Sequence, residues 1–124
     1  MLYKIRDRHV DLCVLRVASD VLDLPGTVIT DQNASSDYAR FEPSPQGLAI
    51  VDSELVFADY WTCRDDLFEE WRRGSIKCAE VLVPDRVDTS YIVGAFASGR
   101  DGVRLFEKTC SDVTSTIDAK LFFR

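Results

Sequence analysis

One carboxylate stands alone in an apolar run: Glu80, within Cys78-Ala79-Glu80-Val81-Leu82-Val83. The run predicts a strand from Ile76 to Val83, ended by Pro84-Asp85. Strand alternation puts Cys78, Glu80 and Leu82 on one face, and Lys77, Ala79, Val81 and Val83 on the other. A charge among apolar neighbours costs free energy unless it is paired or opens onto a cleft. The pattern leaves two readings open, a solvated edge-strand glutamate and a carboxylate presented to a ligand.

A second inventory lies between Asn33 and Arg40, where amides and hydroxyls accompany the ring of Tyr38 and the guanidinium of Arg40. Such groups suit a ligand carrying ribose hydroxyls, phosphates and a flat base. An ordinary solvated loop has the same composition. Arg72, Arg73 and Lys77 form a small basic cluster just ahead of Glu80, although Arg73 is also spaced to pair with Glu69. Other chemistry is not signalled: no Gly-rich phosphate loop, G-x-S-x-G or H-E-x-x-H occurs. The one histidine, His9, follows Arg8 and offers no base for a nucleophile. Four cysteines (Cys13, Cys63, Cys78 and Cys110) are widely spaced without a C-x-x-C, so neither a metal site nor disulfides are expected.

The elements that must position these residues are short. Leu12 to Val17 and Thr27 to Thr30 read as strands, separated by a helical turn at Ser19-Asp20 that Leu24-Pro25-Gly26 stops. The stretch from Leu48 to Trp61 is ambiguous, with its closing half expected in the core. A helix is expected after Thr62 as N-cap, with Asp65 and Asp66 in its first turn. Leu67, Phe68 and Trp71 would be its buried face and Gly74 its terminator. Tyr91 to Ala97 reads as a strand, Arg100 to Thr109 as a helix with Val103, Phe106 and Cys110 on one side, and Lys120 to Phe123 as a last strand. Strands around short helices, without a βαβ rhythm, indicate α+β. The strands at 12–17, 76–83 and 91–97 are expected in one sheet.

At 124 residues the chain is long enough for a single domain with its own core. The net charge of −6 argues against a general nucleic-acid coat and leaves room for a local basic patch. No apolar run approaches the roughly 20 residues of a membrane span, and the first residues lack a signal-peptide core. A cytoplasmic protein is expected.

The order of segments resembles that of the DarT family of DNA ADP-ribosyltransferases. The resemblance rests on Met1-Leu2-Tyr3-Lys4-Ile5, on the segment from Thr30 to Phe41, on Leu55-Val56-Phe57-Ala58-Asp59-Tyr60-Trp61-Thr62, and above all on Lys77-Cys78-Ala79-Glu80-Val81-Leu82-Val83-Pro84. It implies a split, bent sheet with short packed helices, and transfer of ADP-ribose from NAD to a base of single-stranded DNA. That base is thymine in some branches and guanine in others. Such enzymes act as toxins of toxin–antitoxin systems, opposed by a macrodomain-type or other ADP-ribosylglycohydrolase antitoxin, and they need no metal. By position, Glu80 is similar to the catalytic glutamate, which holds the nicotinamide ribose and stabilises the cation-like transition state. Arg40 is implied at the NAD, and Asn33, Tyr38, Arg72, Arg73 and Lys77 toward the DNA. Family members begin upstream of the segment resembling Met1-Leu2-Tyr3, with strands, a histidine and an arginine that grip NAD; His9 does not stand in for that histidine. The resemblance therefore implies the C-terminal portion of such a domain, N-terminally truncated. The alternative is a non-catalytic remnant that binds DNA or the antitoxin.

Overall fold

The computed structural model describes residues 12–122. The segment Met1-Leu2-Tyr3-Lys4-Ile5 and His9 lie outside the described residues. Two compact units are present among the described residues, Asp20–Val87 and a second built from the segments that flank it on either side. Each holds a three-stranded sheet.

In the flanking unit the strands are β1 (Cys13–Val17), β5 (Ile92–Ala97) and β6 (Ser115–Ile117). β5 is central, antiparallel to β1 and parallel to β6. Its sequence Ile-Val-Gly-Ala-Phe-Ala explains the position, because the small Gly94, Ala95 and Ala97 can all be buried. A parallel pair needs a crossover, and the helix α3 (Arg100–Thr109) between β5 and β6 supplies it. Phe106 is its buried anchor, with Val103 half-buried one turn earlier and Gly102 buried beside it. Cys110, expected on that side, is exposed at the helix end. β6 itself carried no sequence signal, since Ser-Thr-Ile is too short to show alternation. The expected last strand is instead a helical turn, α4 (Ala119–Phe122). Asp118, whose backbone carbonyl accepts the Leu121 N–H at 3.2 Å, starts that turn before strand pairing can resume.

The Asp20–Val87 unit is built on β2 (Val28–Thr30), flanked by β3 (Phe41–Pro43) and β4 (Val81–Leu82), both antiparallel to it. β2 is the core strand: Ile29 and Thr30 are fully buried, and Thr27 and Val21 lie buried beside them. Gly26, at φ +79°, makes the turn into β2 in a conformation that L side chains rarely adopt. Gly47, in a short 3-10 turn over Gln46–Ile50, is buried against this sheet. An added Cβ there would stand 2.8 Å from the Glu42 carbonyl oxygen and 3.1 Å from Ile29 Cβ. Gly47→Ala is therefore expected to destabilise the protein by about 1–3 kcal/mol. A urea midpoint that falls at constant slope would show it, and an unchanged midpoint would contradict it.

Several expectations are corrected here. The 76–83 strand shrinks to Val81–Leu82 and joins β2, so it does not share a sheet with β1 and β5. The reason lies upstream, where the helix α2 (Leu67–Ile76) runs through Gly74 and consumes the start of the expected strand. Gly74 does not end that helix; an added Cβ would meet the Trp61 ring at 3.1 Å, so the glycine serves close packing. Asp66, not Thr62, is the N-cap, with its carboxylate accepting the Phe68 and Glu69 N–H groups at 2.9 and 3.0 Å. Between β3 and α2 lies a single helical turn, α1 (Ser53–Val56), capped by Asp52. The expected core contribution of 55–61 is partial: Phe57 and Tyr60 are exposed, while Trp61 is half-buried against Gly74.

Candidate functional site

The face of α2 expected to be buried is open. Leu67 is exposed, Phe68 is 81% exposed and Trp71 71% exposed, with ring centroids of the two aromatics 6.5 Å apart and planes tilted by 38°. The helix is held by other means. Glu69 takes Arg72 through two hydrogen bonds of 2.8 Å and Arg73 through a third of 2.8 Å. Cys63 N–H donates to the Glu70 carboxylate at 3.2 Å, and Asn33 N–H to the Ser75 carbonyl at 2.9 Å. Periodicity revealed one apolar face, but it cannot say whether that face is covered.

Beside this face lies a cavity of about 640 Å³ within the Asp20–Val87 unit. Phe68 and Trp71 line it with Tyr38, Arg40, Arg72 and Asp31; Asp52 and Ile50 close it from the α1 side. Tyr38 is 86% exposed. Arg40 forms a 2.7 Å ion pair through Nε with Asp31, whose other oxygen accepts the Arg40 N–H at 2.9 Å. Partial burial pushes the Asp31 carboxyl up, but the Arg40 backbone N–H, guanidinium hydrogen bond and charge together hold it below the usual carboxylate range. Asp31 was not singled out from the sequence, because its pairing with Arg40 bridges a nine-residue loop.

Of the residues expected at a site, Tyr38, Arg40 and Arg72 come together at this cavity, and Asn33, Arg73, Lys77 and Glu80 do not line it. Asn33 shapes the loop, its side-chain oxygen accepting the Ser35 N–H at 2.9 Å and hydroxyl at 2.6 Å. Lys77 is engaged internally, its Nζ donating to the carbonyls of Val56 at 3.2 Å and Ala58 at 2.5 Å. It therefore ties the α1 segment to the end of α2. Glu80 is half-buried just before β4, and its carboxylate has no hydrogen-bond or ion-pair partner among the described residues. Its main chain is bonded to Thr30, the residue before the cavity wall begins at Asp31. Among the described residues no group of three or more His, Cys, Asp or Glu side chains could hold a metal. All four cysteines are free. No helix among the described residues is long and apolar enough to cross a membrane.

The Glu69 fork has a pH signature. Hydrogen bonds from Arg72 and then Arg73 lower its carboxyl from 4.5 to about 2. A folded-state value depressed in this way contributes stability that is complete above about 4.5 and is lost as pH falls toward 2. Helicity of α2 is expected to decline within that window in far-ultraviolet circular dichroism. The decline should be absent in Glu69→Gln and shallower at high salt, because the pairs are exposed. An acid transition identical in wild type and Glu69→Gln would refute the assignment.

Comparison with known proteins places these features in a family. A family model described as ssDNA thymidine ADP-ribosyltransferase, DarT, matches residues 1–111. Among solved structures, Thermus sp. 2.9 DarT in complex with NAD+ superposes with a TM-score of 0.79 at 18% identity, over 98% of this chain and 66% of that one. The same protein with ADP-ribosylated ssDNA gives 0.79 and 18%, over 98% and 63%. Thermosipho africanus DarTG in complex with ADP-ribose gives 0.76 and 22%, over 99% of this chain and 33% of that one. These structures share the fold, and this chain spans from a third to two thirds of their length. Comparison with curated proteins gives no match. With the family model covering most of its length, the chain belongs to the DarT family of single-stranded DNA thymidine ADP-ribosyltransferases.

Proposed function

We propose that this chain carries the glutamate-bearing part of a site that takes NAD as substrate and transfers its ADP-ribose to thymidine in single-stranded DNA. The observation that carries this reading is the cluster of three exposed aromatic rings and two arginines around one cavity, with Glu80 bonded to the residue that leads into its wall. Exposed rings stack on bases whose faces are free, which favours single strands over duplex. The cavity volume, about 640 Å³, is that of an ordinary small-molecule site. Arg40 pairs with Asp31 through Nε alone and its side chain is 66% exposed, so its terminal nitrogens remain available to a phosphate. Arg72 is more fully engaged with Glu69 yet still 55% exposed. With a net charge of −6, these local groups, and not a general field, would hold the nucleic acid.

NAD supplies an activated bond between ribose and nicotinamide, which breaks as a bond to the acceptor base forms. Glu80 has the chemistry to accept a hydrogen bond from the ribose 2′-hydroxyl, and its negative charge offsets the cation-like character of the ribose in the transition state. The same carboxylate can take the proton that the acceptor base gives up. Residues 1–124 would then form the C-terminal portion of one catalytic domain. The reaction needs NAD and DNA in one compartment, which favours the cytoplasm. An ADP-ribosylglycohydrolase of macrodomain type would be the antitoxin that reverses it.

The test incubates the protein with NAD and a thymidine-containing oligonucleotide, single-stranded or annealed to its complement, and reads the products by mass spectrometry. The single strand should gain ADP-ribose, with weaker transfer at higher salt, and the duplex should not. Equal modification of both forms, or of a strand lacking thymidine, would overturn the substrate assignment; no modification of any strand would overturn the transferase reading.

A further inference from the structure

Thr30 closes β2 and is 0% exposed. Its Oγ1 accepts the Glu80 N–H at 2.9 Å and donates to the Gln32 carbonyl at 2.7 Å, with the Glu80 carbonyl at 3.4 Å as the poorer acceptor. The Thr30 N–H donates to that same Glu80 carbonyl at 2.9 Å. In the β2–β4 register Val28 faces Leu82 and Ile29 faces Val81, so Thr30 and Glu80 are the next pair along. A continuing antiparallel ladder would exchange two main-chain bonds at such a pair. Only one is made here, and the side-chain hydroxyl takes the Glu80 N–H in place of the carbonyl. A hydroxyl, with one proton and two lone pairs, can serve both neighbours at once. Threonine's branched Cβ restricts χ1 and keeps that hydroxyl aimed.

We infer that Thr30 is a positioning residue for the transfer reaction: its hydroxyl fixes the Glu80 main chain against the Gln32 segment and so sets where the Glu80 carboxylate stands relative to the cavity wall. The inference rests on the proposed function, with Glu80 as the reacting carboxylate. The ladder ends at Glu80 because the chain has just left α2, and the Thr30 side chain supplies the second bond that the main chain does not make. Gln32 and Asp31 belong to the cavity wall, so one buried group joins the catalytic segment to the substrate-facing segment. Thr30 itself has no exposed surface, so a valine there would leave the Glu80 N–H facing a methyl group in place of its acceptor.

Thr30→Val removes the hydroxyl and keeps the shape, whereas Thr30→Ser keeps the hydroxyl and removes a methyl group. Transfer turnover by Thr30→Val should fall roughly 10–100-fold, with KM for NAD changed less than about threefold, because misplacement of a reacting group acts on the transition state. Thr30→Ser should restore turnover to within about threefold of wild type. Amide hydrogen exchange supplies a readout independent of activity: the Glu80 N–H should lose protection in Thr30→Val, while those of Val28 and Ile29 keep theirs, and stay protected in Thr30→Ser. Full turnover in Thr30→Val, or equal losses in both variants, would overturn the inference. So would a Glu80 amide as well protected in Thr30→Val as in wild type. If Thr30→Val does not fold, loss of Glu80 protection in a folded Thr30→Ser overturns it and retained protection supports it. If the wild type shows no transfer, the functional reading falls and the exchange comparison alone decides whether the hydroxyl holds Glu80.

Discussion

Glu80→Gln is expected to leave the fold and the affinity for NAD nearly unchanged and to lower ADP-ribose transfer by about 10²–10³-fold. Glutamine keeps the size of the side chain and one acceptor oxygen, so contact with a ribose hydroxyl can persist in the ground state. It lacks the negative charge that matters most as the ribose becomes cation-like, and it cannot take up a proton. No described side chain pairs with the Glu80 carboxylate, so its removal breaks no ion pair among the described residues. The Thr30 contacts are to the main chain and survive the substitution. A merely solvated glutamate predicts a different result, a stability change within about 0.5 kcal/mol and no effect on transfer. Wild-type turnover by folded Glu80→Gln, measured with saturating NAD and single-stranded oligonucleotide, would remove Glu80 from the chemistry.

The sequence made the suspicious glutamate visible and mislaid its setting. Glu80 is conspicuous because a lone charge interrupts an apolar run. The apolar run reads as one strand from Ile76, whereas the helix owns Ile76 and the strand begins at Val81. Gly74 was the source of that error: glycine near a helix end signals termination, but here it admits the Trp61 ring, a contact thirteen residues away that no local pattern encodes. The helix α3 and the strands β2 and β5 are legible because their periodicity and turn residues agree with their final burial, whereas β1 is legible as a strand but not in its burial, since only Val14 of its five residues is not exposed. β3 and β6 were not, being too short for alternation to register. Arg72, Arg73 and Lys77 were legible as a cluster of charge but not as individual partners. The Glu69 fork and the carbonyls of Val56 and Ala58 emerge only in three dimensions. Thr30 escaped notice because a threonine at a strand end has no distinguishing sequence context.

Removing the exposed rings of α2 should weaken binding of single-stranded DNA far more than it affects stability. Phe68 and Trp71, one helical turn apart, read from sequence as a core face, yet both rings are mostly exposed beside the cavity and tilted 38° to each other at 6.5 Å. That arrangement leaves ring faces open instead of stacking them together. Base–aromatic stacking contributes about 1–3 kcal/mol per base, or roughly 5–150-fold in affinity for each ring engaged. Exposed positions such as these should change folding stability by no more than about 0.5 kcal/mol when truncated to alanine. The doubly substituted Phe68→Ala, Trp71→Ala protein is therefore expected to fold normally and to lose at least tenfold in affinity for a labelled oligonucleotide followed by fluorescence anisotropy. The dependence of binding on salt should keep its slope, because no phosphate-facing charge has been removed. Trp71→Phe, which retains a π-face, should lie much closer to wild type than Trp71→Ala. If the double variant binds single strands as tightly as wild type, α2 is not the stacking surface. If stability drops sharply instead, the rings pack against something in solution, and their openness is not a binding feature.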